Sequence, residues 1–391
     1  MSSKAQLGFN ASWSMAVGGM IGGGIFATLG VVIEVAGAWA WGSFLIGGLI
    51  ALATGHSYAA LTVESGKPGG VYRFLREQQH ERIARWTAWI LILGYTLTVA
   101  VYAFTFGAYA ANALGGPAWM PQGLAVASII VLAGVNLLGV GEASTLEIIA
   151  VWGKIAILAG LAIFGLSQWD AGDLAIPEQP GWIGMVIGAG TVFMAYEGFQ
   201  LLAYDYDEMA DAEKLLPKVM PASILTAIVI YIAVSLGAPM LVGAEAIVEE
   251  REVALASAGR AALGMTGFIL VTIAAAFSTA SAINATLFAT ARLARSVASE
   301  GEMPAIFAKT DKAGVPYVGV LLISGVAIFL AVIGGIGELV KSASVVFLVV
   351  FALVNAIVIR RAIGQLWIAW AGCLGASLAA TILLAHKLGM I

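Results

Sequence analysis

The sequence predicts an all-α polytopic membrane protein, and three observations carry that prediction. The 391-residue chain is 61% hydrophobic and only 11% charged, with a mean hydropathy of +0.96, whereas a soluble domain carries roughly 25% charged residues. Apolar stretches long enough to cross a bilayer, about 20 residues each, recur along the whole chain. Two of these stretches are interrupted by glycine at corresponding places in the two halves. The net charge of −4 matters less than where the charges fall.

In order, the crossing stretches lie near 11–33, 38–62, 86–113, 122–140, 144–167, 182–204, 220–243, 262–298, 316–335, 339–360 and 365–386. That makes about eleven helices. The eighth is expected to run past the membrane, because charge returns at Arg292. The first is long, glycine-rich and without a convincing cleavage site, so it reads as a membrane helix and not as a removed leader.

Lys and Arg placement orients the chain. With the N-terminus inside, one side collects Lys4, Lys67, Arg73, Arg76, Arg82, Arg85, Lys214, Lys218, Arg292, Arg295, Lys309, Lys312, Arg360 and Arg361. The other collects only Arg251, Arg260, Lys341 and Lys387. A cytoplasmic N-terminus and an external C-terminus are expected, in a plasma or inner membrane.

Residues 15–26, MAVGGMIGGGIF, are the stretch around which the rest is organised. Gly22, Gly23 and Gly24 have weak helical preference, which predicts a discontinuous first helix. Broken helix inside a bilayer is tolerated where it lines a cavity. Its freed N–H groups would face an anion and its carbonyls a cation. The alternative is helix packing, in which glycines let neighbours approach closely. Residues 181–204 repeat the pattern, with an interruption at Ala195, Tyr196, Glu197 and Gly198. This sixth span opens a second set of five. Paired interruptions in corresponding positions point to a transporter's midplane site.

Two charges fall inside the membrane. Lys154 has about ten residues of span before it, roughly 15 Å at 1.5 Å per residue, too far for easy snorkelling. Its ammonium needs carbonyls, hydroxyls or a carboxylate. Desolvation favours its neutral form, as proton coupling requires; the alternative is a fixed cation bridging two helices. Glu197 has three functional readings: contact with a cationic group of a substrate, pairing with Lys154, or action as a protonatable carboxyl; the alternative is a structural carboxyl, protonated and bonded to freed backbone.

Two loops frame these spans. The segment 64–85 contains ESGKPGGVYRFLRE, a turn followed by a short basic amphipathic stretch; it is either a gate element or a helix on lipid headgroups. The segment 243–259, with Glu249, Glu250 and Glu252, is expected to be a solvated external loop helix.

Other chemistries lack their residues. Cys373 is the one cysteine and His56, His80 and His386 are scattered, so no metal site and no cofactor is implied. No nucleophile–base pair or phosphate loop lies in the spans, which argues against an enzyme. Without a repeated filter motif or charged ring, a channel is disfavoured too.

GGMIGGGIF in the first span, SYAALTVESGKPGGVYRF after the second, FMAYEGFQ with the following Glu208-to-Pro217 pattern, and INATLFATARLARSVASEGEMPAIF at 283–307 together resemble the amino acid–polyamine–organocation superfamily. The resemblance covers nearly the whole chain. It implies the leucine-transporter fold, a 5+5 inverted repeat with discontinuous helices 1 and 6. The chain would divide into a cytoplasmic N-terminus (1–10), a first five-helix repeat (11–167), an external loop (168–181), a second repeat (182–361) and an additional C-terminal helix (362–391). The expected activity is secondary transport of an amino acid by alternating access, coupled to protons. A proton-independent amino acid or polyamine exchanger is the alternative.

By the same resemblance, the substrate carboxylate would meet the backbone at Gly22, Gly23 and Gly24, with Ile21 also counted in the substrate site. Its ammonium would meet carbonyls at Met20, Met194 and Glu197. Phe193, Met194 and Tyr196 would form the wall and gate, with Ala195 and Gly198 completing the break. Lys154 matches a lysine that stands where relatives hold sodium, and should approach the Gly18 carbonyl and the hydroxyls of Ser278 and Ser281. Departures lie in loops, where Asp211-Ala212 replaces the usual Asn-Pro and Glu300-Gly301 the usual Asp-Gly. Many relatives have twelve helices, so the count here bears on packing in a homodimer, not on transport.

Overall fold

The computed structural model describes residues 6–138, 144–176 and 181–390. Lys4, the end of the fourth expected span at 139–140, and part of the external loop at 177–180 lie outside the described residues. The helices are α1 (Phe9–Ala36), α2 (Ala40–Ser65), α3 (Val71–Glu77), α4 (Glu81–Leu114), α5 (Met120–Leu137), α6 (Ser144–Leu166) and α7 (Gly181–Thr191). They continue as α8 (Ala212–Gly237), α9 (Pro239–Val242), α10 (Ala244–Glu250), α11 (Ala254–Ser299), α12 (Tyr317–Ile333), α13 (Ile336–Arg361) and α14 (Leu366–Lys387). Eight helical stretches are long and apolar enough to cross a membrane, the first of them, Phe9–Ser65, being α1 and α2 together; Gly181–Tyr196 and Tyr317–Ile333 are shorter and equally apolar. Among the described residues this accounts for eleven crossings.

Helix ends follow local chemistry. Gly66 and Gly115 close α2 and α4 with φ of 61° and 63°, a left-handed conformation that glycine adopts without a Cβ penalty. Within α11, Leu263 and Gly264 leave helical geometry, so the eighth span starts there and runs on to Ser299. Polar residues inside the spans satisfy themselves locally. The hydroxyls of Thr54, Thr62, Thr96, Thr98, Thr105 and Thr290 each donate to the carbonyl four residues back, which keeps a hydroxyl tolerable where water is absent.

α1 is the axis of the molecule. Every residue from 20 to 33 is buried, and a helix that is apolar on all sides belongs in a core. By contrast, α12 exposes Leu321, Leu322, Val326 and Phe329, and α14 exposes Trp367, Trp370, Leu374 and Leu378, faces suited to lipid.

The structure corrects one expectation. α1 is a single helix from Phe9 to Ala36, and Gly22, Gly23 and Gly24 are absent from the positive-φ positions. The triplet therefore frees no run of N–H groups. Its physical role is close approach: a Cβ on Gly23 would lie 2.1 Å from the Tyr102 ring, on Gly24 2.6 Å from the Tyr231 hydroxyl, and on Gly22 3.0 Å from Ala282 Cβ. The weak helical preference of glycine is overridden by packing on three sides. The sixth span does break. After α7 the chain forms tight 3-10 turns at Val192–Tyr196 and Phe199–Ala203, separated by Gly198 at φ 135°.

On the face that carries the N-terminus, several segments are tied together. Leu7 N donates to Glu208 O at 2.8 Å and Ala210 N to Leu7 O at 2.9 Å; Gly69 N donates to Ala203 O at 2.8 Å. α3 buries Val71, Tyr72, Phe74 and Leu75, so its apolar face docks on protein. Its Arg76 reaches Glu300 at 2.9 Å and Glu302 at 3.2 Å, and Tyr72 Oη donates to Glu300 at 3.0 Å. Burial and the Glu300 carboxylate push the Tyr72 hydroxyl well above its usual range, so it stays a donor at physiological pH.

Candidate functional site

Helical spacing distributes the neighbours of α1 over three faces, since residues four apart share a face. Gly18 and Gly22 face α6 and α11. Gly19 and Gly23 meet Gly198 and Tyr102 of α4. Met20 and Gly24 meet Tyr231 of α8 and Ala195.

The first face holds Lys154. Its side chain is buried, and Nζ donates to Gly18 O at 3.2 Å. Lys154, Gly18, Ser278 and Ser281 line one cavity of about 300 Å³ together with apolar residues of α6 and α11. The sequence-expected set is thus brought together. A carbonyl and hydroxyls at one cavity can hold an ammonium in low dielectric.

The sixth-span break is held by side chains from elsewhere. Ser344 Oγ of α13 accepts from Met194 N at 2.9 Å and donates to Thr191 O at 2.7 Å. It satisfies a backbone donor and a carbonyl that the end of α7 leaves over. Tyr231 Oη lies 2.7 Å from Met20 O and 2.8 Å from Ala195 O, joining α1 to the break. Glu197 N donates to Met194 O at 3.0 Å. Two of the carbonyls expected to receive the substrate ammonium, Met20 and Met194, therefore already accept hydrogen bonds.

Phe193, Met194, Ala195 and Tyr196 are fully buried, and the two aromatic rings pack on helices other than α1. Phe193 packs against Phe351 of α13. Tyr196 packs against Tyr231 and donates to Phe44 O at 2.6 Å. Both anchor the break to its scaffold. Gly198 touches α1 directly, with Gly19 on the other side of the contact.

Glu197 is 2% exposed. Its Oε1 accepts from Gln200 Nε2 at 2.8 Å, while Gln200 Oε1 accepts from Gly198 N at 2.9 Å and Nε2 reaches Tyr95 Oη at 3.3 Å. Lys154 and Glu197 sit on different faces of α1 and form no ion pair with each other. Sequence reasoning missed Ser344, Tyr231, Gln200, Tyr95 and Tyr102. Only the two α4 tyrosines carried a signal: Tyr95 and Tyr102 are seven residues apart, on one helical face.

Comparison with known proteins agrees with this architecture. The amino acid permease family model matches residues 7–384. Inner membrane transport protein YbaT of Escherichia coli is 28% identical over 351 residues, 89% of this chain and 81% of that protein. Serine/threonine exchanger SteT of Bacillus subtilis is 25% identical over 308 residues, 77% of this chain and 70% of that protein. Large neutral amino acids transporter small subunit 2 of Homo sapiens is 28% identical over 323 residues, 78% of this chain and 60% of that protein. All three bear the names of transporters, none that of an enzyme.

Proposed function

Because the chain belongs to the amino acid permease family, we propose that it carries an amino acid between α1 and the broken sixth span by alternating access, coupled to protons through Lys154. The substrate site comprises Met20 to Gly24 and Phe193 to Gly198. The fold divides into two five-helix repeats, 11–167 and 182–361, that rock against one another. The N-terminus faces the cytoplasm and the C-terminus the outside of a cell membrane.

The observation that carries the coupling is Lys154 Nζ, 3.2 Å from Gly18 O inside a cavity shared with Ser278 and Ser281. α1 lines the substrate site on one side and accepts from Lys154 on the other. Loss of the ammonium's proton releases the Gly18 carbonyl, and movement of α1 then feels the protonation state. With all of residues 20–33 buried and the face bearing the N-terminus tied by Leu7, α3 and Arg76, the structure fits a state closed to the cytoplasm.

Uptake of a labelled amino acid mixture into proteoliposomes tests this. Wild-type uptake is expected to rise with an inward proton gradient, and Lys154→Ala to lose that stimulation by about tenfold or more, the size of a 1–3 kcal/mol coupling. The relationship to an exchanger favours a second reading, in which Lys154 is a fixed cation. Uptake indifferent to the gradient and accelerated by internal amino acid would establish exchange and overturn the proton role.

A further inference from the structure

Glu197 is a buried charge that the coupling mechanism does not use. Lys154 serves the α6–α11 face of α1, whereas the Glu197 carboxylate belongs to the face toward α4. Its hydrogen-bond partner is the amide of Gln200, and among the described residues no Lys, Arg or His forms an ion pair with it. Leaving a carboxylate uncompensated in low dielectric is expensive, several kcal/mol even after relaxation. In a membrane protein such a group marks a pathway or a ligand.

A second polar group stands beside it. Tyr102 is 1% exposed, and its hydroxyl lies within reach of the Glu197 carboxylate and has no other hydrogen-bond partner among the described residues. Its ring lies on Gly23, in the position that a Cβ there would take. Rotation of this ring off Gly23 opens room between α1, α4 and the carboxylate. Tyr95, seven residues earlier on the same face, holds Gln200 and with it the orientation of Glu197.

We propose that Glu197 and the Tyr102 hydroxyl form a specificity-determining subsite for a cationic side-chain group, so that the cargo is a basic amino acid. An ammonium has three donors and no acceptor, and here it meets a carboxylate and a hydroxyl with acceptor capacity to spare. The carbonyl of Met194 accepts one hydrogen bond and keeps a second lone pair for the α-ammonium, which leaves the carboxylate for the far end of the cargo. The inference rests on the reading of the chain as an amino acid carrier and names the class it prefers.

The test is competitive uptake of labelled lysine and norleucine, whose side chains differ chiefly in the terminal ammonium, by the full chain in proteoliposomes. Wild type is expected to prefer lysine. Glu197→Gln should lower the lysine-to-norleucine ratio by about tenfold or more, Tyr102→Phe should lower it by less, and Glu197→Asp should retain part of it. A ratio within one preparation is independent of how much protein folds. Preference for norleucine in wild type, or a ratio unchanged in Glu197→Gln, overturns the subsite. So does a variant that keeps its ratio and loses only its response to a proton gradient, because the carboxylate would then carry a proton. Should the Gln variant yield no protein, thermal unfolding of wild type decides: stabilisation by lysine and not by norleucine supports the subsite, and the reverse refutes it. Failure of the carrier reading looks different, since neither amino acid, nor any other, would then be taken up or exchanged.

Discussion

Gly198→Ala is expected to abolish transport and to lower the stability of the folded protein by about 2–6 kcal/mol. Two independent costs combine. At φ 135° a residue with a Cβ is strained by roughly 1–3 kcal/mol. The added methyl would also stand 2.7 Å from Met20 N and 2.8 Å from Gly19 C. These are backbone atoms of the buried α1, which cannot rotate aside, so overpacking adds about 1–3 kcal/mol. The same contact fixes how closely α1 approaches the break, hence the geometry of the substrate site. Thermal unfolding in detergent, set beside uptake, checks the expectation. Gly160→Ala is the matched control, because nothing lies within 4 Å of the new methyl and its helical position favours alanine. A stable, active Gly198→Ala protein would mean that α1 and the break can separate without loss.

Ser344→Ala is expected to cost about 2–6 kcal/mol and most of the transport rate. One hydroxyl serves both Met194 N and Thr191 O, and all three residues are fully buried. Removing it strands a donor and an acceptor with no water at hand, at about 1–3 kcal/mol each. Ser344→Thr keeps the hydroxyl and should recover part of the loss, which separates hydrogen bonding from mere volume. If Ser344→Ala unfolds at the wild-type temperature, the interruption is a property of residues 192–198 alone and α13 contributes nothing to it.

The crossings were legible because each is a long apolar run, and length alone distinguishes such runs from loops. Lys154 was legible for the opposite reason, a single charge among apolar neighbours, and its partner Gly18 and the cavity-lining Ser278 and Ser281 followed from resemblance. Glycine was read correctly at 198 and incorrectly at 22–24. A glycine run looks the same whether it breaks a helix or admits neighbours, and only the partners, Tyr102, Tyr231 and Ala282, decide. Those partners lie 79 to 260 residues away along the chain, beyond any local pattern. Ser344 is illegible for the same reason, since a serine in an apolar helix ordinarily bonds to its own backbone. Phe193 and Tyr196 carry the right chemistry for a pocket wall, yet their rings turn toward α13 and α2, a choice made by rotamer and packing.

The parallel bridge between Leu7 and Met209 has a consequence for timing. Leu7 hydrogen-bonds to both neighbours of Met209 through its own amide and carbonyl, so the chain ahead of α1 cannot swing away from the segment after the sixth span without breaking both bonds. Any cycle that opens this face must therefore bare the amides of Leu7 and Ala210 in the same event. Deuterium uptake at these two positions should rise together, and slow together when cargo or detergent holds the face shut. The pair is a built-in clock: it counts openings directly, on a purified protein, before any substrate has been identified.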